Sequence, residues 1–237
     1  MTEKKENPRT TIEKLLTAGD LPGLLNRAAE IHGHYCPGLA LGVKAAYIAG
    51  KRLGIVHSDG MEEIMAVVEC NNCFVDGIQA ISGCTLGNNA LIYKDLGKTA
   101  VTFYRRGEKT GLRLVANGSS SRKDKDDQPE KEARNLFDKA VKKREDLTPE
   151  ESKRFKELWG ESTYRVLERP EDEIFKIETV DVPQIEYAPM FNSIQCSRCG
   201  EKVMETRIRM KNNEPVCIAC AGHDYWIVAG RGIHPTK

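Results

Sequence analysis

Four cysteines near the C-terminal end constrain the fold of this chain more than any other feature. They form two CxxC pairs, Cys196 with Cys199 and Cys217 with Cys220, with residues 200–216 between the pairs. A CxxC turn directs two thiolates at one point, so four thiolates can close a tetrahedron around Zn²⁺. The alternative interpretation is a pair of redox dithiols. The spacing favours a structural zinc module, whose closed coordination leaves no open position for catalysis.

The segment between the two pairs predicts how the module folds and what it contacts. KVMETRIRM and EPVC flank KNN, which predicts a hairpin that carries the second pair back to the first. Such a module has little core, so we expect its folding to require the zinc. Arg207, Arg209 and Lys211 alternate along one predicted strand, which suits nucleic acid, although no aromatic residues interleave with them. Protein contact or dimerisation is the competing use of the module.

The rest of the chain predicts an α+β fold in which helices pack on a mixed β-sheet. Helical periodicity covers residues 11–32. A second helix should run from Pro37, which suits a first turn, to Leu53, with Gly54 after it. The remaining predicted elements are a buried strand at 64–69, a short helix at 76–83 and a hairpin of strands at 98–106 and 110–116.

A charged stretch separates this predicted core from the zinc module. Residues 117–130 combine turn formers with mixed charge and predict an exposed loop. A helix should begin after Thr148, where Glu151 completes a capping box. We interpret residues 129–169 as a helical connector with solvated faces and residues 174–183 as a strand leading into the last module. The predicted domains are 1–183, comprising the core at 11–116 with the loop and connector at 117–183, and 184–237, comprising the zinc module and tail.

Composition excludes several classes of protein. The chain has 237 residues, 40% of them hydrophobic, and a formal net charge of +1, which gives no whole-chain attraction to nucleic acid or an anionic membrane. No apolar run approaches the roughly 18 residues of a membrane span, and the charged N-terminus MTEKKENPRTTIEKLL lacks a signal-peptide pattern. We therefore expect a cytoplasmic protein without membrane contact, whose eight cysteines serve as thiols or metal ligands.

A second group of metal-ligating residues lies between the first two predicted helices, in EIHGHYCPG. It contains His32, His34 and Cys36. Because Cys36 precedes Pro37, its thiol should lie at a helix N-terminus, where free N–H groups and the helix dipole favour the thiolate. The alternative is structural, since a histidine after a helix can serve as a C-cap and a buried cysteine can act as a small hydrophobe.

Further candidates follow in ECNNCFVDGIQAISGCT. Cys73 and Asp76 are three residues apart and share one face of a predicted helix start. With the first group they could form a core site for Zn²⁺ or Fe²⁺ with an open position, where Asp76 or a histidine would act as a base. Cys84 would lie about 16 Å from Cys73 along a continuous helix, so it joins the site only past a break at Gly83. Cys70 continues the strand alternation and is explained by packing.

These two groups, in this order, resemble the FmdE family, which takes its name from formylmethanofuran dehydrogenase. The resemblance rests on HGHYCPGLALGVKAA and VECNNCFVDGIQAISGCTLGNNALIYKDLGKTAVTFY, and some members also carry a C-terminal zinc finger like residues 196–220. It implies an α+β core with a mixed sheet and an intertwined homodimer. A cysteine at position 70 departs from the family pattern, in which a polar residue is expected. The resemblance also implies a cleft lined by His32, His34, Cys36, Cys73, Asp76 and Cys84.

Three functions are open on the sequence. The resemblance implies a metal-binding accessory protein associated with formylmethanofuran dehydrogenase, a molybdenum or tungsten pterin enzyme of one-carbon metabolism. The alternatives are a stand-alone metalloenzyme of unknown substrate and a zinc-finger regulator that binds protein or nucleic acid. The chain has no ferredoxin-type cluster run, GxGxxG or GxxxxGK[ST] loop. We expect one structural zinc in the C-terminal module and a second metal, zinc or iron, in the core.

Overall fold

The structure is a computed structural model that describes residues 7–58, 60–117 and 128–236. The chain forms two compact units, Met1–Gln184 and Ile185–Lys237. Most of the loop predicted at 117–130 lies outside the described residues. Within the described ranges, no helix is both long enough and apolar enough to cross a membrane.

The first unit is a mixed sheet with helices packed on it, which confirms the predicted α+β fold. The sheet order is β2-β1-β3-β4-β5, in which β1 pairs parallel with β2 and all other neighbours pair antiparallel. A π-helical turn, Asp138–Lys142, follows α5. The helices are α1 (Thr10–Ala18), α2 (Leu21–His32), α3 (Pro37–Leu53), α4 (Cys73–Ser82), α5 (Gln128–Phe137), α6 (Pro149–Glu168) and α7 (Glu171–Ile174). The strands are β1 (Ile64–Val68), β2 (Leu91–Tyr93), β3 (Ala100–Arg105), β4 (Thr110–Ala116) and β5 (Phe175–Asp181).

Helices α3 and α4 cross in backbone contact at two glycines. A Cβ added to Gly42 would lie 2.0 Å from the carbonyl oxygen of Phe74. A Cβ added to Gly77 would lie 2.5 Å from the carbonyl oxygen of Leu39. Neither position accepts a side chain unless the backbone moves. Because both glycines lie in the second turn of their helices, this crossing brings the two helix N-termini together.

The predicted single helix over residues 11–32 is wrong, because the chain breaks it in two. Gly19 ends α1 with a φ of 70°. The Asp20 side chain then caps α2 by accepting a hydrogen bond from the backbone N–H of Gly23 at 2.8 Å, and Pro22 stands in the first turn. The GDLPG sequence carries each of these signals, but apolar periodicity continues across the break and conceals it.

The segment predicted as a solvated connector contributes to the core instead. Helix α6 begins as predicted, with a complete capping box between Thr148 and Glu151. Its last turns bury Val166 and Leu167 in the same hydrophobic cluster as the sheet. The strand predicted at 174–183 does not serve only as a link to the last module, because β5 pairs with β4 along the edge of the sheet.

Lys44 of α3 holds the end of α6 against the core. Its side chain is buried, and its ammonium donates to the carbonyl oxygens of Val166 at 3.3 Å, Leu167 at 2.7 Å and Arg169. Carbonyls at a helix C-terminus have no intrahelical partner, so the cation caps α6 and complements its dipole. Burial lowers the pKa of Lys44, and the Glu171 carboxylate opposes that shift.

We expect Lys44→Met to lower the free energy of unfolding of the first unit by about 2–3 kcal/mol, because buried carbonyls lose a charged donor. Methionine keeps the unbranched shape and the helix propensity of the lysine. Lys51→Met, at an exposed position of the same helix, should change stability by less than about 0.5 kcal/mol. Urea denaturation measures both variants, and equal effects would contradict the capping role of Lys44.

The second unit, as far as it is described, is built from two-stranded antiparallel sheets. The predicted hairpin is β8–β9, and its turn places Asn212 and Asn213 at φ values of 54° and 65°, as a type I′ turn requires. A 3₁₀ turn, Glu205–Arg207, precedes β8, and a short helix, α8 (Ile218–Ala221), follows β9. The strand pairs are β6 (Ser193–Gln195) with β7 (Lys202–Met204), β8 (Ile208–Lys211) with β9 (Glu214–Cys217), and β10 (Trp226–Ala229) with β11 (Gly232–Pro235).

Candidate metal centres

The four cysteines of the CxxC pairs converge on one point. Cys196 and Cys199 lie in the turn between β6 and β7, and Cys217 and Cys220 lie where β9 passes into α8. Their sulfur atoms are all within 4.8 Å of one another. Sulfurs bound to a tetrahedral Zn²⁺ at about 2.3 Å are about 3.8 Å apart, so a small contraction would enclose the ion. The donor geometry supports the predicted structural zinc.

Backbone N–H groups stabilise thiolates in this cluster. The N–H of Cys217 donates to the sulfur of Cys196, and the N–H of Cys220 donates to the sulfur of Cys217, both at 3.3 Å. Hydrogen bonds from the N–H groups of Cys199 and Cys217 lower the pKa of Cys196 to about 6. The hydrogen bond to Cys217 raises the pKa of Cys220 to about 12. The sulfurs therefore compete to share protons, which a divalent cation would displace.

The three cations predicted on one strand face of the zinc module do not all lie on that strand. Arg207 belongs to the 3₁₀ turn, so the alternation covers only Arg209 and Lys211 of β8. Arg209 donates to the carbonyl oxygen of Ile208 at 2.8 Å, and Lys211 donates to that of Ala221 at 3.3 Å. These contacts within the module add no support to the prediction of nucleic-acid binding.

In the first unit, His32, His34 and Cys36 bring three donor atoms within 4.8 Å of one another. The Cys36 sulfur lies 3.6 Å from His32 Nε2, and the centroids of the two imidazole rings are 4.3 Å apart. His32 ends α2, and Gly33 turns the chain with a φ of 86°. Cys36 is the N-cap of α3, and its sulfur accepts a hydrogen bond from the N–H of Leu39 at 3.3 Å. The corner between two helices thus gathers the three donors.

Cys73, the first residue of α4, adjoins this cluster from the opposite helix. The Asn72 side chain caps α4 by accepting a hydrogen bond from the N–H of Phe74 at 3.1 Å. The thiols of Cys36 and Cys73 are hydrogen-bonded to each other. That bond, together with the charge of His32, lowers the pKa of Cys73 to about 5. The same bond, together with burial, raises the pKa of Cys36, so the pair retains one proton.

Asp76, one turn further along α4, contacts the other side of the His32 ring. Its Oδ2 lies 2.7 Å from His32 Nδ1. A carboxylate at Nδ1 fixes the proton on that nitrogen and leaves the Nε2 lone pair available to a metal. Because Nε2 faces Cys36, Asp76 orients a donor into the cluster. Its service as a catalytic base stays a prediction, while this contact assigns it an orienting role.

Cys84 and Cys70 are not brought to the core cluster. Helix α4 has ten residues, so it is about 15 Å long at 1.5 Å per residue. Cys84 lies past its far end, where the buried thiol donates to the carbonyl oxygen of Ile64 at 3.4 Å. Burial raises the pKa of Cys84 to about 11. Cys70 is also buried, which raises its pKa, and its thiol donates to the Asn72 side chain at 3.6 Å.

Two residues that shape this site are not among the candidates predicted from the sequence. Asn72 caps α4 and thereby places the first residue of that helix, and Gly77 permits the contact between α3 and α4. Both carry a signal in the sequence. An asparagine immediately before an apolar helical run predicts an N-cap, and a glycine inside a helical pattern indicates close backbone packing.

Comparison with protein-family models gives matches to both units. The model described as FmdE, molybdenum formylmethanofuran dehydrogenase operon, matches residues 31–176. The model described as the prokaryotic dksA/traR C4-type zinc finger matches residues 189–224. The first match therefore includes the core cluster, and the second includes all four cysteines of the CxxC pairs.

Two individual proteins are similar to the chain. A probable S-adenosyl-L-methionine-binding protein of Archaeoglobus fulgidus is 48% identical over 217 residues, which are 90% of this chain and 56% of that protein. The chain thus spans little more than half the length of this relative. A crystal structure of a tungsten formylmethanofuran dehydrogenase FmdE-like protein from Syntrophus aciditrophicus has a TM-score of 0.53 and 22% identity, with 85% of this chain and 92% of that chain covered. This second similarity shows a shared fold.

Proposed function

The chain belongs to the FmdE family and carries a C4-type zinc finger, and from this premise we propose that it is a metal-binding accessory protein with two metal centres. The C-terminal cysteines hold a structural zinc. The core centre uses His32, His34 and Cys36 as ligands, with Cys73 as the fourth. Mixed imidazole and thiolate donors suit zinc or iron. Such a metal supplies a Lewis acid, and the residues around it orient the donors and hold the proton at His32 Nδ1.

One observation carries the core centre: His32 is oriented from both sides. Asp76 contacts Nδ1 at 2.7 Å, and the Cys36 sulfur lies 3.6 Å from Nε2. Metal-binding histidines are commonly supported by a carboxylate at the nitrogen that does not bind the metal. A histidine that served only as a helix C-cap would need neither the carboxylate nor a second imidazole beside the thiol. The arrangement therefore favours a metal ligand over a structural corner.

The family match supports a further proposal, that the chain associates with formylmethanofuran dehydrogenase and forms a homodimer. The matching family model is described by the operon of the molybdenum enzyme. The similar solved structure is described as an FmdE-like protein of the tungsten enzyme. Copurification of the tagged full chain with dehydrogenase subunits from its native cells tests this association. A tagged chain that recovers none of them would remove the association without affecting the metal centres.

Metal content tests the core centre. Purified wild-type protein should hold about two metal ions per chain, one in each centre. Cys36→Ser should retain about one, because serine replaces a thiolate ligand with a hydroxyl. Cys70→Ser is the matched control, since Cys70 is equally buried but lies outside the cluster, and it should retain both ions. If Cys36→Ser leaves the metal content unchanged, Cys36 is not a core ligand.

Asp76→Asn should weaken metal binding at the core centre about 10- to 100-fold, since the substitution removes the charge that supports His32. The amide keeps the size of the carboxylate, so packing is preserved. Competition with a chromophoric chelator measures the affinity. Glu30→Gln removes one negative charge from an exposed position of α2 and should leave the affinity at the wild-type value. Equal affinities for Asp76→Asn and wild type would contradict the orienting role.

A further inference from the structure

Cys36 and Cys73 place two thiols in contact although 36 residues separate them in the sequence. Their side chains are hydrogen-bonded to each other. Each lies at the start of a helix, since Cys36 is the N-cap of α3 and Cys73 is the first residue of α4. The contact therefore depends on how the two helices cross.

The helix crossing fixes this thiol pair. Gly42 and Gly77 allow backbone contact one turn beyond the thiols, and Gly38 lies directly against them. A Cβ added to Gly38 would lie 3.1 Å from Cys73 Cβ and 3.9 Å from each of the two sulfurs. A disulfide requires Cβ atoms about 3.5–4.5 Å apart and sulfurs about 2.05 Å apart. Because the thiols already touch, side-chain rotation brings the sulfurs to bonding distance.

The other cysteines of the first unit have different partners. The Cys84 thiol donates to the carbonyl oxygen of Ile64 and lies beyond the opposite end of α4. The Cys70 thiol donates to the Asn72 side chain. Geometry thus selects Cys36 with Cys73 over any other pairing in this unit.

We infer that Cys36 and Cys73 form a reversible disulfide that closes the core centre to metal. The inference rests on the proposed function, because the same two sulfurs are its core ligands. The oxidant is a low-molecular-weight disulfide. The sulfur of Cys73, the more exposed of the pair, attacks that disulfide and releases one small thiol. The sulfur of Cys36 then attacks the mixed disulfide at Cys73 and releases the second thiol.

This exchange balances and has a direct consequence for metal binding. Two protein thiols lose two hydrogens and two electrons, and the small disulfide gains them as two thiols. A sulfur engaged in a disulfide is no longer a thiolate that can bind a metal. His32 and His34 then remain as the core donors, too few to retain zinc against a chelator. A reductant restores both thiols and with them the centre.

Peptide mapping of the full chain tests this disulfide. The protein, with zinc in its finger and the core metal removed by a mild chelator, is equilibrated with oxidised glutathione, alkylated and digested with trypsin. Cleavage after Arg27 and Lys44 yields peptide 28–44, in which Cys36 is the sole cysteine. We expect this peptide to be joined to peptide 53–94 through Cys73 in wild type and in Cys70→Ser, and to be free in Cys73→Ser. Dithiothreitol should separate the two peptides.

Zinc content then tests the closure of the centre. After Zn²⁺ is added back, the oxidised chain should lack the core ion and keep the finger ion, and dithiothreitol should restore the core ion. The inference is overturned if peptide 28–44 stays free in oxidised wild type, or if the joined chain takes up the core zinc as the reduced chain does. The proposed function fails separately, if the reduced wild-type chain binds zinc in the finger alone.

Discussion

Cys196→Ser is expected to remove the zinc of the C-terminal module and to unfold that module. Structural zinc in small modules contributes apparent binding free energies of about 10–16 kcal/mol, which is folding free energy when the apo module is unstable. In the described part of the second unit, few hydrophobic side chains are buried, chiefly Cys196 and Val216. Short two-stranded sheets are marginal without a further core. The four sulfurs are thus the main link between the strands.

Limited proteolysis combined with metal analysis measures this effect. Cys196→Ser should lose about one zinc per chain and become rapidly cleaved within residues 185–237, because an unfolded module exposes its backbone. The first unit has its own hydrophobic cluster and should resist cleavage. Cys70→Ser replaces a buried cysteine of the first unit and should keep both the zinc and the protection of the module. A Cys196→Ser chain whose module stays as resistant as wild type would show that zinc is not needed for folding.

Gly42→Ala and Gly77→Ala should lower the free energy of unfolding of the first unit by about 3 kcal/mol or more, at the upper end of overpacking effects. An exposed glycine in a helix would gain up to about 1 kcal/mol from the same change. Here the new Cβ would lie 2.0 Å or 2.5 Å from a backbone carbonyl oxygen of the neighbouring helix. Backbone cannot yield as a side-chain end can, so the clash outweighs the gain in helix propensity. Separation of α3 from α4 should also release the core metal.

Gly160→Ala provides the matched control for these substitutions. Gly160 lies within α6, and a Cβ added there would meet no atom within 4 Å. This variant should be as stable as wild type or more stable, by up to about 1 kcal/mol, and should bind the core metal normally. Urea denaturation compares the three variants. Wild-type stability in Gly42→Ala and Gly77→Ala would contradict the proposed closeness of the two helices.

Local signals in the sequence predict much of this fold. Helix α3 runs from Pro37 to Leu53, because a proline suits a first turn and Gly54 adopts the left-handed conformation of a C-cap. Helix α6 begins at its predicted capping box. Each CxxC pair lies within one turn of chain, so spacing alone predicts where two sulfurs point. Properties set by neighbouring residues are therefore readable from the amino-acid sequence alone.

Contacts between distant residues are not readable in this way. His32 and Asp76 are 44 residues apart and meet because two glycines let their helices touch. A lysine among small residues predicts an exposed position, whereas Lys44 is buried because the end of α6 packs over it. The pattern of β5 predicts a strand but not its neighbour in the sheet. Tertiary packing decides all three.

The core metal centre is tested most directly by anomalous diffraction from crystals of the purified chain, recorded on both sides of the zinc and iron absorption edges. We predict two metal peaks per chain, one among the sulfurs of the C-terminal CxxC pairs and one within about 2.3 Å of the Cys36 sulfur. The second peak should also contact Nε2 of His32. A single peak in the zinc finger, with no metal beside Cys36, would contradict the proposed core centre.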